Sequence, residues 1–87
     1  MTGAGTLNPP PSPEAAVNTA IASTLRDHPA VVADWLRGTP KTWGFLAGRA
    51  VGSARRLLGR DLNDAERRRV WSGLWQELES LARAARR

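Results

Sequence analysis

Lys41, Arg49, Arg55, Arg56 and Arg60 fall in one stretch with Gly44, Gly48 and Gly52, three glycines spaced by four, and with Phe45, the only phenylalanine. Cations at this density neutralise phosphates or another polyanion rather than make or break bonds. At about 100° per residue on a helix, Trp43, Leu46, Ala47, Ala50, Val51, Ala54, Leu57 and Leu58 fall within roughly 80° of Trp43 and predict a core face. Gly44 lies at its margin, Gly48 farther round and Gly52 nearly opposite Trp43. The outer side then carries Lys41, Phe45, Gly48, Arg49, Gly52, Arg55, Arg56 and Arg60.

Each glycine costs about 1 kcal/mol against Ala in a helix interior, so the row needs a reason. Glycines at i, i+4 let a second helix approach closely, and that reading is favoured at Gly44. At Gly48 and Gly52 it competes with another, in which a nucleic-acid backbone descends onto the helix between arginines that reach its phosphates. Both explain the tolerated penalty; only the second also explains the charge. Phe45 is either covered by the short second helix or the N-terminal arm, or is left as a stacking platform for an unpaired base or a partner contact.

The charge is concentrated. Thirteen Lys and Arg, twelve of them Arg, stand against eight Asp and Glu. From Arg37 to Arg69 there are nine basic and three acidic residues, a local net of +6. Charge alone fits an Arg-rich chain with solvated helix faces equally well.

Little supports catalysis. The chain has no cysteine and one histidine, which removes disulfides, thiolate metal sites and thiol nucleophiles. His28 has no companions for a metal site, and a cap or turn role suits it better. There is no phosphate-binding glycine loop followed by Lys, and Asp61, Asp64 and Glu66 read as cap and first-turn residues. No catalytic residue, metal or cofactor is expected, and the chain is not read as an enzyme. The N-terminus lacks the basic and apolar regions of a secretory signal, and no apolar run approaches the roughly 20 residues of a membrane span. A soluble, cytoplasmic protein with no membrane partner is expected.

The elements that position the cations are helical. Residues 1–12, MTGAGTLNPPPS, hold three of the six prolines and two of the eight glycines, and predict a disordered arm before a single domain over 13–87. Ser12-Pro13-Glu14 supplies an N-cap, a first-turn proline and an acid, starting a helix over Pro13 to Asp27 with Val17, Ala20, Ile21, Thr24 and Leu25 inward. Pro29 separates it from a short helix to Arg37, with Val31, Val32, Trp35 and Leu36 as its apolar side and Gly38 as its cap. Thr39-Pro40 predicts the start of a third helix reaching Leu58, with Gly59 as its stop. The fourth opens at Asn63, with Glu66 as capping-box partner, and runs to Arg86, burying Trp71, Leu74, Trp75, Leu78, Leu81, Ala82 and Ala85 and pairing Glu79 with Arg83. The tryptophans Trp43, Trp71 and Trp75 are expected in the core. With no alternating strand pattern, the fold is all-α, a small bundle of four helices, one short.

The stretch HPAVVADWLRGTPKTWGFLAGRAV, His28 to Val51, resembles the C-terminal tail domain of the B subunit of tRNA-dependent amidotransferases (GatB), shared with the YqeY proteins. The match lies in Pro29, Val32, Asp34, Trp35 in place of a Tyr, Gly38, Lys41, Gly44, Phe45, Leu46, Gly48, and Arg49 in place of a Gln. The Gly-Phe-Leu-x-Gly core is its specific part. After Val51 the pattern departs, because LGRDLNDAERRR replaces a shorter, proline-containing link. The resemblance implies a non-catalytic RNA-binding module of translation that holds transfer RNA, with Lys41, Gly44, Gly48 and Arg49 near its backbone and an amidotransferase or aminoacyl-tRNA synthetase as a further partner. Gly52, Arg55, Arg56 and Arg60 join that face by charge and helical position alone. A protein-interaction or assembly module using the glycine row and Phe45 stays open beside it. Neither reading fixes the oligomeric state.

Overall fold

The computed structural model describes residues 11–86. They form four helices and, among the described residues, no strand: α1 (Pro13–Asp27), α2 (Pro29–Leu36), α3 (Thr42–Leu58) and α4 (Asp64–Ala85). The expected arm lies, apart from Pro11 and Ser12, outside the described residues.

Local capping chemistry sets most helix ends. The Ser12 hydroxyl accepts from the Ala15 N–H at 3.1 Å at the start of α1. At α4 the capping box is complete: the Asn63 side chain accepts from the Glu66 N–H at 2.8 Å, and the Glu66 carboxylate accepts from the Asn63 N–H at 3.0 Å. Helix α2 closes with Gly38 at φ +80°, where the Gly38 N–H reaches the Trp35 carbonyl and the Thr39 N–H reaches that of Asp34, both at 2.9 Å. This paired arrangement satisfies two orphan carbonyls, and the positive φ is why glycine stands there.

The start of α3 differs from expectation. Thr39 belongs to the end of α2 through its N–H, and its carbonyl accepts from the Thr42 hydroxyl at 2.8 Å. Thr39 and Pro40 therefore form a turn, and the helix begins at Thr42 after Lys41, which sits in the left-handed region at φ 71° with no side-chain cap.

The shared core takes Val17, Ala20 and Ile21 from α1, Val32 from α2, Leu46, Ala47, Ala50 and Ala54 from α3, and Val70, Leu74 and Leu78 from α4, with Leu62 plugging it from the α3–α4 link. The pairing of α1 with α3 is the most extensive. Ala16, Ala20, Ala50 and Ala54 have no exposed surface, so alanine, the best helix former, also serves as core filler.

Several apolar positions are corrected. The buried stripe of α4 is Glu66, Val70, Leu74 and Leu78, whereas Trp71, Trp75 and Leu81 are 43%, 46% and 41% exposed. Leu57 and Leu36 are also exposed, as is Ala85, and Trp43 is half-buried. Steps of four residues turn the α4 stripe by only about 40° each, whereas Trp71 and Trp75 directly follow Val70 and Leu74 and so stand about 100° round the helix from them, on the flank of the stripe. Glu79 and Arg83 do not form an ion pair among the described residues.

The glycine row does not pack against a helix of this fold. Among the described residues, a Cβ placed on Gly44 or Gly48 would meet nothing within 4 Å, and on Gly52 only the Arg56 guanidinium at 3.9 Å. The close approach occurs instead at Gly73 of α4, where a Cβ would stand 2.6 Å from Cδ1 of Ile21 in α1. Sequence reasoning passed over Gly73, whose only signal is a lone glycine within an amphipathic helix.

These environments predict opposite signs. Gly44→Ala and Gly48→Ala remove a propensity penalty without a clash, and each should stabilise the fold by up to about 1 kcal/mol. Gly73→Leu should destabilise it by about 1–3 kcal/mol through overpacking. Urea or thermal unfolding of the three variants checks this. A loss of stability in Gly48→Ala would mean that the row serves the fold after all.

Candidate nucleic-acid interface

Helix α3 brings the anticipated residues to its outer side in two adjacent strips. One carries Phe45, Arg49 and Arg56; the other carries Gly44, Gly48, Gly52 and Arg55 and faces α4. Gly44, Phe45, Gly48, Arg49, Arg55 and Arg56 are exposed, as are Lys41 before the helix and Arg60 after it, and Gly52 is half-buried.

Phe45 is neither bare nor covered. The His28 ring meets it edge-on with centroids 5.2 Å apart, and the Arg49 guanidinium lies 5.1 Å from its centroid. His28 thus acts at the α1–α2 junction as a packing residue; its side chain makes no cap hydrogen bond. The Arg49 contact is a cation–π pair worth about 0.5–1 kcal/mol at an exposed site, and it holds Arg49 along the helix surface. Phe45 remains 40% exposed.

The cations divide by partner. Arg55 Nε lies 2.9 Å from Asp61 Oδ1, an exposed pair of the kind that contributes at most about 1 kcal/mol and yields readily to a stronger anion. Arg60 is held far more firmly: its two Nη groups reach the two oxygens of Glu66 at 2.8 Å each, and Nη1 also donates to the Asp61 carbonyl at 2.9 Å. Arg60, anticipated as a phosphate ligand, therefore already has a structural task as a bidentate clamp across the α3–α4 link. Lys41, Arg49 and Arg56 have no carboxylate at ion-pair distance among the described residues.

Two concavities flank the face. An open depression of about 610 Å³ at the C-terminal end of α3 is lined by Gly52, Arg55, Arg56, Gly59, Arg60 and Asp61. A groove of about 460 Å³ runs between α3 and α4, with Gly44, Gly48 and Gly52 along one side, Trp43 and Trp71 as its aromatic walls, Ala47 and Val51 deeper in, and Arg55 and Arg67 at its rim. Arg67 and Trp71 were not anticipated as site residues. Their four-residue spacing on one helix face was a usable signal, masked by the assignment of Trp71 to the core.

Among the described residues no group of three or more His, Cys, Asp or Glu could hold a metal ion. No helix is long and apolar enough to cross a membrane. The chain matches no family model, no curated protein and no solved structure.

The clamp predicts the acid limb of stability. The Arg60 guanidinium, the Asn63 N–H and the nearby positive charge hold the Glu66 carboxyl at about 2, below its usual 4.5, against an opposing push from burial; Arg60 is raised in turn. A depressed folded-state pKa stabilises the protein above the unfolded value, and that contribution fades as pH falls from about 4.5 towards about 2. The melting temperature should fall over that window. Glu66→Gln, already without the charge, should melt lower at neutral pH and show a shallower acid slope; parallel slopes in the two proteins would assign the acid limb to other groups.

Proposed function

We propose that this protein is a non-catalytic RNA-binding module of the cytoplasm that engages the backbone of a structured RNA, most simply transfer RNA, through the outer face of α3. One observation carries the reading: among the described residues, Gly44 and Gly48 face open space beside Arg49 and Arg56, cations without an ion-pair partner there. A helix surface without side chains lets a sugar-phosphate backbone approach to hydrogen-bonding distance while flanking guanidiniums reach its phosphates. The resemblance of His28 to Val51 to the amidotransferase B-subunit tail supports the choice of transfer RNA, with an accessory place in tRNA-dependent amidation. In this reading Lys41, Arg49, Arg55 and Arg56 supply the counter-charge. Arg60 contributes from its clamp.

The exposed Phe45 and the open α3–α4 groove favour a second reading, an assembly module that receives a partner helix on the glycine row. The two separate cleanly. Arg49→Glu with Arg56→Glu should abolish RNA binding and leave an apolar helix contact largely intact; Gly48→Leu should damage the helix contact most, and the protein would then run as a stable oligomer or a captured complex in light scattering.

Gel shifts with total transfer RNA at two salt concentrations test the first reading directly. With about four phosphates neutralised, raising salt from about 50 to about 200 mM should weaken binding roughly a hundredfold. A complex indifferent to salt would exclude this mode. Lys41→Gly adds a control in which loss of affinity cannot be blamed on the fold: it removes a cation and also relieves a left-handed backbone, which should stabilise the protein by up to about 1 kcal/mol.

A further inference from the structure

The four indoles have different surroundings. Trp75 meets Trp35 edge-on at 5.6 Å and Trp43 at 5.5 Å, so these three form one cluster across α2, α3 and α4. Trp71 pairs with no other aromatic ring among the described residues; it is 43% exposed and walls the α3–α4 groove. An indole left out of an available aromatic cluster and turned into a concavity offers an unused π-face. The rim beside it is cationic. Arg55 and Arg67 line the groove and, among the described residues, no carboxylate does. Their partners Asp61 and Asp64, at 2.9 Å and 3.3 Å, are 80% and 84% exposed and lie outside the lining.

We propose that this groove takes an unpaired nucleotide of single-stranded or looped RNA, with its base stacked on Trp71 and its flanking phosphates on Arg55 and Arg67. The proposal rests on the RNA-binding reading above and goes beyond it, because that reading needs only backbone contacts along α3. The composition selects the occupant. Two guanidiniums with no carboxylate in the lining complement a polyanion rather than a neutral helix, and a flat ring beside them matches a base flanked by phosphates. The exposed leucines Leu36, Leu57 and Leu81 all lie outside this groove.

The probe is a mixed-sequence single-stranded RNA of about ten nucleotides, within the range of site sizes for such platforms, titrated into the full chain at low salt beside its blunt duplex. Binding of the single strand should quench indole fluorescence. Trp71→Leu, which keeps the wall apolar but removes the ring, should weaken binding roughly tenfold and remove most of the quench, while Trp71→Phe retains most of the affinity. Far-UV circular dichroism verifies that both variants fold, as expected for so exposed a position. Three results would overturn the proposal: unchanged single-strand affinity in Trp71→Leu, duplex bound as tightly as single strand, or a wild-type oligomer that Trp71→Leu dissociates. If salt-sensitive transfer RNA binding persists while Trp71→Leu is silent, only this inference fails; if no RNA binds in any form, the functional reading falls with it.

Discussion

The joint between α3 and α4 is fixed by one buried carboxylate. Glu66 accepts from both Nη groups of Arg60 and from the Asn63 N–H, while its own N–H is capped by Asn63. One side chain thus completes a helix cap, neutralises a guanidinium and, with Leu62 buried beside it, pins the link that follows Gly59. Charge-assisted bidentate bonds fix direction as well as distance. The groove between α3 and α4 exists because the two helices leave this joint at a set angle. Such a clamp is also unforgiving, since removal of either partner strands the other charge in a partly buried place.

From that joint outward, the fold solves a size problem. A chain this short has few large apolar residues to bury, and its core relies on alanines along α1 and α3 and on the Ile21–Gly73 contact to bring helices close. Close packing of small residues leaves no interior volume for three further indoles. They gather at the edge of the core across α2, α3 and α4, Trp35 and Trp43 half-buried against it and Trp75 exposed, where T-shaped contacts recover part of their stacking energy. The half-exposed aromatic band beside the groove therefore follows from the narrowness of the core. Its position next to the cationic rim does not, and that is where a functional account begins.

The legible parts of the structure were those written in local chemistry. Ser12 and Asn63 announce helix starts because an N-cap needs only its own next three residues, and Gly38 and Gly59 announce ends because few other residues adopt φ near +75°. The start of α3 was hidden because Thr39 carries the same cap signal but is engaged by the end of α2, a competition visible only once both helices are placed. Trp71 and Trp75 were misplaced because hydrophobicity marks a face but not its width. The outer side of α3 was legible from the wheel, whereas the engagement of Arg60 by Glu66, six residues away across a link, was not.

The distribution of partners among the cations bears on how such a surface could act. A phosphate competing for Arg60 must displace two short charge-assisted bonds and unsettle the α3–α4 joint; one competing for Arg55 or Arg67 displaces only a single exposed contact to Asp61 or Asp64. Arg49 and Arg56 surrender no ion pair among the described residues. A polyanion approaching α3 thus meets a graded surface, with free charge on the Phe45 strip, exchangeable charge at the groove rim and fixed charge at the joint. That gradient lets the fixed cation hold the scaffold's geometry while the others reorganise around a ligand. The side chains at the contact can then adapt without loosening the helices that carry them.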